Sequence, residues 1–166
     1  MSIIKKGISI FTILLTIFSF SSCNNIDDEK ITPPQCNLEK NVKISYKENN
    51  YEGKFINNTS GMKSFSFTFP QTLNGFTVTY RGSKYKIEYM GLERTSDTSL
   101  PITSPVEILF NVIEELYVKE PNPEIIDNGI ASYKVTSGKD RYVIYSKTLN
   151  GNIIEIVGED ITIELK

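Results

Sequence analysis

Hydrophobic and polar residues alternate along most of this chain. Val42, Ile44 and Tyr46 take turns with Lys43, Ser45 and Lys47, Asn49-Asn50 reads as a turn, and Tyr51, Gly53 and Phe55 begin a return strand. A period of two is the signature of an antiparallel sheet with one face buried. The clearest case is Phe65-Ser66-Phe67-Thr68-Phe69, with aromatics on one face and small hydroxyls on the other until Pro70 ends the run. Phe76, Val78 and Tyr80 then alternate with Thr77 and Thr79, Arg81-Gly82-Ser83 turns the chain, and Tyr85, Ile87 and Tyr89 carry the pattern back. A five-stranded meander is predicted.

Residues 93–103 have no period and are expected to form a loop. At its end, Ser104-Pro105-Val106-Glu107 combines an N-cap serine, a proline at the first helical position and a glutamate placed to complete a capping box. Val106, Leu109, Phe110, Ile113, Leu116 and Tyr117 recur at spacings of three and four, so they form one apolar stripe, and Pro121 and Pro123 stop the helix near Lys119. After Asn128-Gly129 the alternation resumes through Tyr133 and Val135, turns at Ser137-Gly138 and returns through Tyr142 and Ile144. Asn150-Gly151 is a hairpin signal leading into Ile153 to Val157, and Gly158-Glu159-Asp160 precedes a last strand carrying Ile161, Ile163 and Leu165. The expected fold is α+β: a curved antiparallel β-sheet of about nine strands, a half-barrel, wrapped around one amphipathic helix.

The beginning of the chain departs from this pattern. Lys5 and Lys6 precede an uncharged apolar run from Gly7 to Phe20 that stops at Ser21-Ser22-Cys23. A basic stretch, a short apolar stretch and small residues before a cut describe a secretory signal. The run is shorter than the roughly 20 apolar residues that a spanning helix needs. Residues 1–22 are therefore expected to be removed, and residues 24–40, NNIDDEKITPPQCNLEK, polar, acidic and broken by Pro33-Pro34, read as a flexible tether spanning about 23 Å. A single β-rich domain is expected from Asn41 to Lys166.

Charge and chemistry narrow the classes. The formal net charge is -2; losing Lys5 and Lys6 would leave -2 - 2 = -4. Nucleic acid is not an expected partner, because phosphate binding needs clustered Lys and Arg. The chain has no histidine, which removes Ser-His and Cys-His nucleophilic pairs and the commonest metal ligand. No GxSxG elbow, glycine-rich phosphate loop or CxxC is present. Enzymatic activity, a cofactor and a metal are accordingly not expected. Glu114-Glu115 is read as a solvated helix face, Glu159-Asp160 as part of a turn, and the sequons in Asn57-Asn58-Thr59-Ser60 as a polar hairpin loop. Cys36 is either a reactive thiol or a small buried residue, the second favoured because nothing nearby would lower a thiol pKa.

The aromatic load leaves two readings. Phe65, Phe67, Phe69, Tyr80 and Tyr89 could line an apolar groove covered by Leu109, Phe110 and Ile113, or the helix could already fill the concavity as a close-packed core. The groove implies a hydrophobic ligand such as a lipid or acyl chain. A filled core implies a cell-envelope protein whose sheet edge or outer face meets another protein.

A cysteine directly after two small residues resembles the lipobox of bacterial lipoproteins, although Phe20 stands where leucine is usual. The lipobox, the acidic tether, the run Phe69-Pro70-Gln71-Thr72-Leu73-Asn74-Gly75 followed by Tyr80, and Tyr89-Met90-Gly91-Leu92 together resemble a group of uncharacterised lipoproteins of Gram-positive clostridia and their relatives. The strand order with a late helix is similar to the LolA/LolB and LppX lipoprotein-carrier architecture. That resemblance implies acylation of Cys23, with palmitate among the attached chains, an extracytoplasmic domain anchored to the cell membrane, and acyl chains held between curved sheet and helical lid. One clear helix is less lid than the carriers have.

Overall fold

In the computed structural model, the described residues are 31–35, 37–97, 100 and 104–166. The signal, Cys23 and Cys36 lie outside them. Eleven strands form one antiparallel sheet: β1 (Leu38–Tyr46), β2 (Asn49–Asn57), β3 (Lys63–Phe69), β4 (Thr77–Arg81), β5 (Lys84–Tyr89), β6 (Leu92–Ser96), β7 (Ile125–Asp127), β8 (Ile130–Ser137), β9 (Asp140–Lys147), β10 (Ile153–Val157) and β11 (Ile161–Leu165). Among the described residues, one α-helix, α1 (Pro105–Lys119), separates β6 from β7, and a short 3-10 turn covers Gln71–Leu73. The order across the sheet is β6-β5-β4-β3-β2-β1-β11-β10-β9-β8-β7. The first and last strands of the chain pair through Val42 with Leu165 and Ile44 with Ile163, joining two meanders into one surface. The expected α+β fold, one curved antiparallel sheet with a single helix against it, is what the chain adopts.

The apolar stripe of α1 supplies Val106, Leu109, Phe110, Val112, Ile113 and Leu116 to the core. Inward positions of the strands meet it, among them Ile44, Phe55, Phe65, Ala131, Ile144, Ile153, Ile156 and Ile163, all without solvent exposure. The described core, helix and strands lie within residues 31–166.

Four local expectations are corrected. The loop expected over 93–103 begins with β6, which pairs Leu92 to Ser96 with Tyr89 to Tyr85. It is an edge strand exposed along most of its length, so no inward residues mark it with a period. The first hairpin turns at Lys47-Glu48, with Asn49 and Asn50 already in β2. Ser104 has N-cap backbone geometry, but its side chain makes no capping bond. The capping-box glutamate turns inward instead, where buried Glu107 accepts a hydrogen bond from the Tyr85 hydroxyl at 2.6 Å. Finally, the tether ends before Lys40. β1 starts at Leu38, and residues 31–35 form a strap along the β9–β10 turn. The Thr32 and Gln35 amides donate to the Thr148 and Gly151 carbonyls at 2.8 and 2.9 Å. Polar composition concealed this, because the strap is held through its backbone.

Candidate functional site

The residues predicted to line a groove separate into four settings. Phe65, Phe67, Leu109, Phe110 and Ile113 are buried in the core. Phe65 and Phe67 meet edge to face at 4.8 Å, and Phe110 packs on Phe55 at 5.9 Å. These side chains are in contact with one another and with the sheet, so the concavity is occupied by α1 itself. Tyr89 is half-buried beside Phe76, with ring centroids 5.8 Å apart, and its hydroxyl donates to the Thr72 carbonyl at 3.3 Å. Phe69 is 49 % exposed. Its displacement follows from a β-bulge: Gly53 pairs with Phe67 while the adjacent Glu52 pairs with Phe69, leaving Thr68 as an extra residue that ends the alternation.

Tyr80 belongs to a polar cluster that the sequence did not reveal. Its ring lies 4.9 Å from that of Tyr85 and 5.1 Å from the Lys63 ammonium. Lys63 is buried and donates to Glu114 at 2.5 Å, so Glu114 is an ion-pair partner and not merely a solvated acid. Burial first, and then the hydrogen bond to Glu107, pushes the Tyr85 phenol well above its ordinary range. Every charge in this cluster has a partner, as buried charges require. The neighbouring hollow of about 400 Å³ is lined mostly by polar residues of the β2–β3 loop together with Lys63, Tyr80 and Glu114. Among the described residues, no group of three His, Cys, Asp or Glu could hold a metal ion, and no helix is long and apolar enough to cross a membrane.

The apolar space lies elsewhere. A cleft of about 440 Å³ opens at the C-terminal end of α1, lined by Ile31, Pro33, Pro34, Leu116, Tyr117, Glu120, Pro121, Asn122, Pro123 and Tyr133. Three segments build it. Glu120 caps the helix in the left-handed conformation, φ 43° and ψ 54°, with its amide donating to the Leu116 carbonyl at 3.1 Å. Pro121 and Pro123, which lack amide donors, then carry the chain away from the helix axis. The strap supplies the facing wall: Pro33 and Pro34 favour an extended backbone, and the Tyr117 hydroxyl donates to the Gln35 carbonyl. Tyr133 of β8 forms part of the floor. Each of these prolines was visible as a tether or stop signal, but nothing local showed that the two proline segments face one another.

No family model matches the chain, and no curated protein does. Among solved structures, the chain is similar to a LolA superfamily protein from Nitrosomonas europaea, at 13 % identity over 83 % of this chain and 87 % of that one, with a TM-score of 0.44. The likeness is one of outline. Neither value carries a function across, and the assignments that follow rest on the side chains of this chain.

Proposed function

We propose that this protein is a lipid-anchored domain outside a bacterial cytoplasmic membrane that holds a hydrophobic ligand in the cleft at the C-terminal end of α1. The observation that carries this reading is the cleft itself, whose volume of about 440 Å³ falls within the roughly 300–1,000 Å³ usual for ligand sites. Its lining is largely Ile, Leu, Pro and Tyr, whereas the predicted sheet-helix groove is filled. The lipobox resemblance at Ser21-Ser22-Cys23 supports the anchor. Ile31, at the rim, follows Cys23 by 31 - 23 = 8 residues. That length of chain reaches at most about 29 Å, which keeps the cleft near the bilayer and any lipid leaving it. With no histidine in the chain, no catalytic step is assigned.

Titration with Nile red, a neutral apolar dye, tests the cleft. The domain should bind the dye with one-site saturation, and Pro123→Trp, which fills the space, should abolish binding without lowering the unfolding midpoint. Equal binding by that variant would move the site elsewhere. For the anchor, a palmitate analogue should label the wild-type protein in cells and leave Cys23→Ala unlabelled; label persisting in the variant would contradict the lipobox assignment.

One observation favours the protein-interaction alternative. Phe69, Met90 and Leu92 are 49 %, 82 % and 76 % exposed at the same end of the sheet. Loss of a co-purifying protein from Met90→Ser/Leu92→Ser, with dye binding intact, would support that surface.

A further inference from the structure

We infer that the cleft selects amphiphiles with a cationic head group, an ammonium on an apolar body, and rejects anionic ones such as fatty acids. This rests on the cleft being a ligand site, and it concerns the charge of what enters. Among the described residues, Glu120 is the only charged one that lines the cleft, and no Lys or Arg does. Among the described residues, Glu120 forms no ion pair. It also stands at the end of a 15-residue helix, where the aligned peptide dipoles amount to about half a negative charge.

Two cations of neighbouring elements are engaged elsewhere. The Lys119 ammonium lies 2.5 Å from Glu115 and donates to the Thr136 carbonyl at 3.2 Å. Lys134 is paired with Glu124. Tyr117 and Tyr133 add ring surfaces, whose faces attract ammonium groups. A carboxylate or phosphate head seated here would meet a carboxylate and helix carbonyls and, among the described residues of the lining, no basic partner. An ammonium would meet complementary charge from each of these sources, while Ile31, Leu116 and the prolines cover its apolar body.

The test uses octyltrimethylammonium, octyl glucoside and octyl sulfate, which share a tail and differ in head charge. Each is titrated calorimetrically below its micelle concentration into the chain from Asn24 to Lys166. The ammonium should bind about two- to thirtyfold more tightly than the glucoside, the combined range of an exposed ion pair and a helix end, and the sulfate more weakly than either. E120Q should cut the preference for the ammonium over the glucoside by about 1.4- to fivefold, the share of the exposed pair, and leave the glucoside affinity unchanged. E159Q removes the same charge from the β10–β11 turn and should leave the preference intact, which separates a local effect from net charge. Sulfate binding as tightly as ammonium, or a preference undiminished in E120Q, overturns the inference while the cleft stands. Failure of all three compounds to bind overturns the ligand-site reading itself.

Discussion

Gly151→Ala should detach the strap that walls the cleft. Gly151 has φ 65°, and a Cβ built there would overlap the Pro33 carbonyl. Two effects are therefore superimposed, and Gly138 separates them. It has φ 64° with nothing within 4 Å of an added Cβ, so Gly138→Ala carries only the left-handed backbone strain, about 1–2 kcal/mol. Gly151→Ala carries the same strain plus the overlap. The strap is held by two backbone bonds, by side-chain bonds from Thr32 and Gln35 to the Leu149 and Asn150 carbonyls at 3.0 and 2.9 Å, and by the Tyr117 hydroxyl donating to the Gln35 carbonyl. At about 0.5–1.5 kcal/mol net each, these bonds and the half-burial of Ile31 and Pro34 oppose about 1–2 kcal/mol of backbone entropy per ordered residue. The strap is thus near balance, and one overlap is enough to release it. Hydrogen exchange read by mass spectrometry gives the result directly. Protection at Thr32 and Gln35 should be lost in Gly151→Ala and kept in Gly138→Ala, with the strands protected in both. Equal strap protection in the two variants would refute the contact and, with it, the facing wall of the cleft.

Three further outcomes follow from the core and the buried polar cluster. Phe110→Ala should destabilise by about 3–5 kcal/mol through a core cavity, whereas Phe69→Ala, at a half-exposed position, should stay within about 1 kcal/mol; similar unfolding midpoints for the two would contradict their placement. Glu114→Ala leaves the buried Lys63 ammonium without its carboxylate and should cost about 1–3 kcal/mol, against about 0.3–0.5 for Glu115→Ala, which removes a half-exposed i,i+4 pair with Lys119; denaturant unfolding that ranks the two in the opposite order would show that Lys63 is not buried as described. Because burial and Glu107 raise the Tyr85 pKa, its stabilising contribution is full below the unfolded phenol value of about 10 and is lost as pH rises above it. Stability should therefore fall above pH 10 more steeply in the wild type than in Tyr85→Phe, with a residual slope from buried Tyr142, whose pKa is also raised.

The fold was legible where residues face both core and water. Alternation in β1 to β5 and in β8 to β11 marks an inward face, and the spacing from Val106 to Leu116 marks the helix stripe. It failed for β6, because an edge strand exposed on both sides has no inward residues to reveal its period. At Phe69 it failed because a bulge arises from cross-strand register, which alternation within one strand does not encode. The candidate site was less legible still. Aromatic strands facing an apolar helix are compatible with either an empty or a filled interior, and only the packing distances decide between them. Lys63, Tyr85 and Glu107 are separated by 22 residues at each step, 85 - 63 and 107 - 85, and meet through the folding of α1 over β3 to β5. The cleft likewise depends on Pro33-Pro34 docking opposite Pro121 and Pro123, a juxtaposition with no local signature.

The central claim is that ligand space lies at the end of α1 and not between the sheet and the helix. Intermolecular nuclear Overhauser effects from bound Nile red to methyl-labelled protein test it most directly. The account predicts contacts to Ile31 and Leu116 and none to Leu109 or Ile113. Contacts to Leu109 and Ile113 would show that the sheet-helix interior opens to admit a ligand, and would contradict it.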